Sequence, residues 1–281
     1  MPELPEVETI VRELRRKVLK RRIKKARLLR VDMLKNSPLR PANFPGFFRH
    51  RSFASIVRRG KFILFRLDNG DRLLAHLGMT GKFVVSTQNG ERPIHICSQY
   101  FFEDGGRLDH VDIRRLGRLE LHRAGGTIPA LQKLGIDPLS RAFNGDSLRV
   151  VQFARDGCTP RKRAIHILLL DQSLISGVGN IYAAEALFRA GIRPDMMAGQ
   201  ISVEGYHRLA DRLREVLRDA LEFWGTTIND YRRADDEPGS FQAKLRVYNR
   251  GGEPCCRCGT AIQRMRLGGR SVYFCPECQK A

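Results

Sequence analysis

The 281-residue sequence is short of acidic side chains: 30 Asp and Glu stand against 50 Lys and Arg, which gives a formal net charge of +20. It contains one tryptophan, and no apolar run approaches the roughly 18 residues that a membrane-spanning helix needs. The first residues, Met1, Pro2 and Glu3, show neither the basic nor the apolar region of a secretory signal. A hydrophobic content of 42% is enough for a packed core. We therefore predict a folded cytoplasmic protein with no membrane partner.

Disulfide bonds explain the cysteines poorly, because the sequence has an odd number of them, seven. Four form two Cys-x-x-Cys pairs separated by sixteen residues: Cys255, Cys258, Cys275 and Cys278. Four thiolates at this spacing are typical of a closed tetrahedral site, so we predict one structural Zn²⁺. Cys256 offers a competing ligand, whereas Cys97 and Cys158 are expected to be buried as small apolar residues.

The positive charge is concentrated near the N-terminus. Between Arg15 and Arg30, ten of sixteen residues are Lys or Arg, and no acidic residue interrupts them. One interpretation is a solvated face that keeps the protein soluble. The other is a surface for a polyanion, because a local positive field attracts phosphates. A membrane surface is less favoured, since the segment lacks a regular amphipathic pattern.

Hydrophobic periodicity divides the chain into two kinds of structure. Apolar residues at helical spacing from Val7 to Val18 predict an N-terminal helix. Alternating patterns then predict strands over residues 53–57, 62–67, 73–77, 82–85, 94–102 and 118–122. Beyond about residue 130 the period becomes helical, which predicts helices over 147–154, 164–171, 181–190 and 203–224. The fold class is therefore α+β: a β-sandwich or barrel with a leading helix, then a helical domain. A polar segment from Gly225 to Gly252 is expected to be a mobile loop that leads into the metal-bound hairpin.

A glycine-rich connection, Ser176-Gly177-Val178-Gly179-Asn180, precedes one of the predicted helices. Backbone N–H groups at a helix N-terminus bind phosphate readily. A simple glycine cap has the same local sequence, so this pattern alone leaves both interpretations open.

Pro2 becomes a chemical group of interest if Met1 is removed. The mature chain then begins with a secondary amine, and α-amino groups titrate near pH 7.7–8.0 in model peptides, so part of the amine is an unprotonated nucleophile at neutral pH. Attack on a sugar carbon followed by iminium formation supplies an electron sink for elimination. Most proteins with proline at position two use it for no chemistry, so the position alone does not establish this role.

The opening Pro2-Glu3-Leu4-Pro5-Glu6-Val7-Glu8-Thr9 resembles the start of the formamidopyrimidine-DNA glycosylases. Further motifs follow in that family's order: Arg59-Gly60-Lys61, His76-Leu77-Gly78-Met79-Thr80-Gly81, Arg114-Arg115-Leu116-Gly117, Leu134-Gly135-Ile136-Asp137-Pro138-Leu139-Ser140, Ile175-Ser176-Gly177-Val178-Gly179-Asn180-Ile181-Tyr182-Ala183 and the cysteine pairs. The resemblance covers nearly the whole chain. It implies an N-terminal β-sandwich (1–129), a helix-two-turn-helix domain with a lesion-capping loop (130–240) and a zinc finger (241–281).

The resemblance also implies an activity. It is that of a base-excision-repair enzyme, a DNA glycosylase and AP lyase that removes oxidised purines from double-stranded DNA. The expected protein is a monomer, associated with the nucleoid through DNA, with no cofactor besides zinc.

The same resemblance assigns roles to particular residues. It implies a catalytic set in which Pro2 attacks C1′ and Glu3 opens the deoxyribose ring, and it adds Lys61 and Arg270 as phosphate contacts. The implied DNA-binding residues are Met79, Arg114, Leu116, Lys162 and Asn180. Arg270 shares the cysteine hairpin with Arg264 and Arg266, so the hairpin presents several cations.

Two departures from the family pattern concern recognition of the lesion and the base opposite it. Where the family usually has Asp-Pro-Arg-Arg-Phe-Gly, this chain has Ile113 and Leu116 in place of the proline and phenylalanine. Leucine still fills a gap but offers no ring face to a base. Two alternatives stay open: an endonuclease VIII-like glycosylase for oxidised pyrimidines, and a non-catalytic zinc-finger DNA-binding protein.

Overall fold

The structure is a computed structural model that describes residues 1–86, 93–153, 157, 159, 161–226 and 239–280. The chain forms two compact units, Met1–Gln132 with Phe223–Gln242, and Lys133–Glu222 with Ala243–Ala281. Among the residues that the structure describes, no helix is both long and apolar enough to cross a membrane.

The first unit combines a leading helix with antiparallel strands. In chain order its elements are α1 (Leu4–Val18), β1 (Arg22–Leu28), α2 (Phe44–Phe48), β2 (Arg51–Arg59), β3 (Phe62–Leu67), β4 (Arg72–His76), β5 (Gly81–Ser86), β6 (Ile96–Phe102), β7 (Arg107–Asp112), β8 (Arg118–His122) and α3 (Pro129–Gln132). The predicted strands therefore lie within a residue or two of those observed. Two strands, β1 and β7, were not predicted.

The strands form two four-stranded halves. The order is β5-β7-β6-β1-β2-β3-β4-β8, and the junction between β1 and β2 has only the pairs Arg22↔Ser52 and Ile23↔Arg51. One core contains the inner side of α1 and residues from both halves, with aromatic side chains at its centre: Phe44, Phe48, Phe53, Phe65, Phe83 and Tyr100. The predicted β-sandwich with a leading helix is confirmed.

Part of the basic run forms the unpredicted strand β1. Its cations are exposed, while Ile23 and Ala26 point into the core. A bulge between Ile23 and Lys25 shifts the register against β6, so the buried positions are three residues apart rather than two. That irregular spacing, with one small apolar residue, explains why alternation did not reveal the strand.

The second unit contains the helices and the terminal hairpin. Its elements are α4 (Gly145–Arg149), α5 (Ile165–Leu169), α6 (Asn180–Ala190), α7 (Val203–Glu222), β9 (Gln263–Leu267) and β10 (Arg270–Phe274). The prediction of a helix over 147–154 was too long, because α4 passes into a 3-10 turn over Val150–Gln152. Helix α7 ends earlier than predicted, because Trp224 and Gly225 adopt positive φ values of 61° and 83°.

A buried carboxylate joins α6 to the segment before the hairpin. Glu185 is fully buried, and its oxygens accept hydrogen bonds from the backbone N–H groups of Arg246, Val247 and Tyr248 at 2.9–3.0 Å. Three N–H donors satisfy a group that is otherwise costly to bury. This contact fixes the segment before the hairpin against α6.

Candidate functional site

The N-terminus is held at the beginning of α1 by Glu6. Pro2 and Glu3 are both buried, and the Glu3 N–H donates to Glu6 Oε2 at 2.8 Å. The other oxygen, Glu6 Oε1, accepts a hydrogen bond from the Thr226 N–H at 2.8 Å. A Cβ on Gly225 would lie 2.8 Å from the same oxygen, so this position requires glycine. Glu6 therefore joins the peptide bond between Pro2 and Glu3 to Thr226, at the start of the predicted lesion-capping loop.

The predicted lysine lies in the turn between β2 and β3. Lys61 is nearly buried, and its charge acts on His76 at the end of β4. Burial lowers the pKa of His76 to about 4, with further lowering by the charges of Arg118 and Lys61. The ring is therefore neutral near pH 7, and its Nδ1 accepts the Gly78 N–H at 3.1 Å, which leaves the proton on Nε2. Lys61, His76 and Arg118 form a cluster of N–H donors where β4 ends and β8 begins.

Two neighbouring loops, residues 77–80 and 113–117, form what we call the wedge loops. The buried Asp112 carboxylate joins them, because it accepts hydrogen bonds from Thr80 Oγ1 at 2.5 Å and from the Gly117 N–H at 2.8 Å. Thr80 Oγ1 accepts in turn from the Arg114 N–H at 3.0 Å. Gly78, at φ 62°, lies so close to the other loop that a Cβ would be 2.5 Å from its backbone.

The wedge loops present apolar side chains to solvent. Met79, Ile113 and Leu116 are 40%, 55% and 50% exposed, although each is large and hydrophobic. Exposed apolar side chains on a fixed backbone are typical of an interaction site, and proteins that kink DNA insert such residues between bases. The sequence motif included Met79 and Leu116, whereas the exposure of Ile113 is a finding of the structure.

Asn180 and the strand that begins with Arg270 lie together. Asn180 is the first residue of α6, and its Nδ2 donates to the Ser271 carbonyl on β10 at 2.9 Å. Arg270 is exposed, and its positive charge lowers the pKa of His166 on α5. The structure thus brings together two predicted phosphate contacts that are 90 residues apart in sequence. Lys162, also predicted to contact DNA, is exposed in the segment before α5.

Four cysteines converge in what we call the zinc hairpin, residues 255–278. The sulfurs of Cys255, Cys258, Cys275 and Cys278 lie within 4.8 Å of one another. Zinc–sulfur bonds of about 2.3 Å in a tetrahedron give sulfur–sulfur edges of about 3.8 Å. The Cys255–Cys278 and Cys258–Cys275 separations are 3.9 Å and 3.4 Å, so the residues fit the ion. Backbone N–H groups of Arg257 and Cys278 donate to two of the sulfurs.

The two other cysteines that the structure describes, Cys256 and Cys97, lie outside this cluster. Cys256 is exposed, and its sulfur accepts a hydrogen bond from Arg246 Nη1 at 3.4 Å. Cys97 is buried as predicted. Cys158 lies outside the described residues, as do residues 227–231 of the predicted capping loop.

Sequence reasoning missed two residues of this site. His76 lies in a quoted motif but had no assigned role, and only its pairing with Phe62 and Arg118 across the strands places it beside Lys61. Glu6 carried a visible signal, because an acidic residue three positions after a helix cap is typical of a capping box. Its contact with Thr226 could not be predicted from that pattern.

Family models match three successive parts of the chain. They describe the formamidopyrimidine-DNA glycosylase N-terminal domain over residues 1–119, the formamidopyrimidine-DNA glycosylase H2TH domain over 134–232, and a zinc finger found in FPG and IleRS over 252–281. The N-terminal domain, helix-two-turn-helix domain and zinc finger define a class of DNA glycosylases.

Whole-chain comparisons agree. The formamidopyrimidine-DNA glycosylase of Desulfitobacterium hafniense is 41% identical over 99% of this chain and all of its own length. The structure of the MutM (Fpg) protein from Thermus thermophilus is 40% identical, with a TM-score of 0.84 over 99% of this chain and 98% of its own. A Lactococcus lactis Fpg variant bound to Fapy-dG-containing DNA is 31% identical, with a TM-score of 0.89 over both whole chains.

The chain belongs to the formamidopyrimidine-DNA glycosylase family. The predicted family, the α+β fold class and the structural zinc site are confirmed. The domain boundaries and the roles of individual residues stay predictions.

Proposed function

We propose that this chain excises oxidised purines, 8-oxoguanine and formamidopyrimidines, from duplex DNA and then cleaves the strand at the resulting abasic site. The observation that carries the proposal is the N-terminus: Pro2 and Glu3 are buried at the start of α1, and Glu6 fixes their backbone. Solved structures of the Lactococcus lactis relative contain DNA with Fapy-dG and DNA with an abasic site. These are the substrate and the intermediate that the proposed sequence of reactions needs.

Pro2 supplies the nucleophile once Met1 is removed. The unprotonated amine forms a bond to C1′ while the glycosidic bond breaks, and the base leaves with the proton that the attacking amine gives up. Glu3 delivers a proton to O4′, so the sugar ring opens and an iminium ion forms between Pro2 and C1′. When a C2′ proton is lost, the iminium accepts the electrons of that C–H bond and becomes an enamine. The enamine then expels the 3′ phosphate, which leaves with the electrons of the C3′–O bond. A second elimination breaks the C5′–O bond and leaves a one-nucleotide gap.

The remaining site residues hold the DNA in a distorted form. Taking a base out of the stack costs a few kcal/mol, which inserted side chains and phosphate contacts offset. Met79, Arg114 and Leu116 of the wedge loops fill the gap. Lys61, Asn180 and Arg270 bind phosphates, and His76 adds an N–H donor beside Lys61. Lys162 adds a further cation for the backbone.

The basic run contributes affinity that does not depend on sequence. Exposed cations of β1 and the last turn of α1 attract the phosphate backbone from a distance. We infer that the protein acts as a monomer in the cytoplasm, associated with the nucleoid through this attraction.

The test is strand cleavage on duplexes that carry one lesion. The mature protein is expected to cut duplexes with 8-oxoguanine or formamidopyrimidine and to leave phosphates on both sides of a one-nucleotide gap. Pro2→Gly is expected to reduce cleavage by at least about 100-fold while affinity changes little, since a flexible primary amine replaces the ring-held secondary amine and the phosphate contacts remain. Preference for thymine glycol would instead favour the endonuclease VIII-like alternative. Binding without cleavage would favour the non-catalytic one.

A further inference from the structure

A buried histidine without a hydrogen-bond partner among the described residues lies on α5, which packs against α6, the helix that begins with Asn180. His166 of α5 is fully buried, and within the described part of the chain neither of its ring nitrogens has a partner. The side-chain oxygen of Asn180, Oδ1, is likewise buried without a partner among the described residues. Buried polar groups are costly when unsatisfied. Two such groups side by side are therefore candidates to satisfy each other.

Chemistry fixes the orientation of the Asn180 amide. Its Nδ2 donates to the Ser271 carbonyl at 2.9 Å, and a carbonyl only accepts hydrogen bonds, so nitrogen faces β10 and Oδ1 faces away. Oδ1 therefore needs a donor.

His166 has such a donor. Burial lowers the pKa of His166 to about 4, the Asn180 side chain opposes that shift, and the charge of Arg270 adds to it. A neutral imidazole carries one N–H group, which Oδ1 can accept.

We propose that His166 is a positioning residue for Asn180: its neutral imidazole donates to Asn180 Oδ1 and keeps the amide N–H groups turned towards Ser271 and a DNA phosphate. The inference rests on the proposed function, in which Asn180 binds that phosphate. An inverted amide would present an acceptor oxygen to an anion and repel it. Because His166 is on α5, Asn180 on α6 and Ser271 on β10, the interaction also joins two helices to the zinc hairpin.

Two variants separate positioning from packing. His166→Leu removes both nitrogens at similar volume, whereas His166→Gln keeps an N–H donor. The leucine variant is expected to bind a duplex with an uncleavable abasic-site analogue about 5–10-fold more weakly, as for one lost hydrogen bond. Its single-turnover rate at saturating protein should match the wild type, and His166→Gln should recover most of the affinity. A purely structural role would affect the unfolding midpoint without this recovery of affinity.

Asn180→Ala is the control that shows whether His166 affects DNA affinity through Asn180. In that background His166→Leu is expected to cause no further loss of affinity, because the residue through which it acts is gone. Losses that multiply in the double variant would overturn the proposal, as would a glutamine variant that binds as weakly as the leucine variant.

The free energies of unfolding without DNA test the contact by itself. They are compared for the wild type, His166→Leu, Asn180→Ala and the double variant. If the two substitutions have non-additive effects on the free energy of unfolding but the wild type binds no lesion DNA, the proposed function is contradicted and the contact is supported. If the wild type binds lesion DNA but the two substitutions have additive effects on both affinity and unfolding, only the positioning role is contradicted.

Discussion

The wedge loops and the zinc hairpin both present side chains that we assign to DNA, yet different chemistry holds them. A carboxylate, Asp112, joins the wedge loops through short hydrogen bonds within the first unit. The zinc hairpin depends on four thiolates and a metal ion in the second. A hydrogen-bonded support contributes a few kcal/mol at most, whereas a structural zinc contributes about 10 kcal/mol or more. The two regions should therefore fail separately and to different degrees.

Removing zinc should have the largest effect. Cys275→Ser or strong chelation is expected to unfold the zinc hairpin, displace Arg270 and weaken binding of lesion DNA by about 100-fold or more. The first unit should stay folded, as limited proteolysis would show. Cys256→Ser is the matched control, because Cys256 is exposed and outside the cluster. An apo protein that bound lesion DNA normally would refute the assignment.

Loosening the wedge loops should have a smaller effect. Asp112→Asn removes the charge that two donors share and is expected to cost about 1–3 kcal/mol of stability. Excision of 8-oxoguanine should fall more than cleavage at a preformed abasic site, because only the former must take a base out of the stack.

Asp109→Asn controls for general destabilisation of the same strand. Asp109 is also buried on β7, but it binds Gln99 at 2.9 Å and Arg107 at 2.6 Å, away from the wedge loops. Equal losses of excision in the two variants, at equal stability, would contradict the role given to the wedge loops.

Acid should destabilise both compact units of the chain, because each contains a buried histidine. Burial lowers the pKa values of His76, His110 and His166 to about 4, from an ordinary 6.5. Between these values the unfolded chain binds protons that the folded chain does not. Stability is therefore lost as pH falls below 6.5, by about 1.4 kcal/mol per pH unit for each histidine. Urea unfolding at pH 7, 6 and 5 measures the slope.

One histidine allows this pH dependence to be tested separately. His110 is fully buried, and neither ring nitrogen has a hydrogen-bond partner among the described residues, so His110→Leu breaks no hydrogen bond with them. As pH falls, the free energy of unfolding of this variant is expected to decrease less steeply than that of the wild type, by about 1.4 kcal/mol per pH unit. An unchanged slope would show that His110 does not titrate as proposed.

The smallest expected effect concerns the base opposite the lesion. Leu116→Phe should raise discrimination among the four opposite bases by about 2–10-fold, because a ring stacks where leucine only fills space. The choice of lesion should change little. Ile113→Phe, on the same loop and also exposed, is the control. Equal gains from both variants would contradict a specific role for Leu116.

Prediction from sequence worked where periodicity is regular. Strands β3 and β8 were predicted with the observed bounds, and the cysteine spacing predicted the metal cluster. It failed for β1, where a bulge breaks the alternation, and for β7, whose buried polar residues hide the pattern. Contacts such as Glu6 with Thr226, or Asn180 with Ser271, depend on chain packing that no local pattern encodes.

The central claim is that Pro2 is the nucleophile, and its most direct test is borohydride trapping on a duplex with one 8-oxoguanine. Reduction of the iminium ion should link the protein covalently to DNA, and mass spectrometry of the digested adduct should place the link on an N-terminal peptide that begins with Pro2. Pro2→Gly, which leaves a primary amine, serves as the comparison. An adduct on a lysine, or a mature protein that retains Met1 and still forms the adduct, would contradict the account.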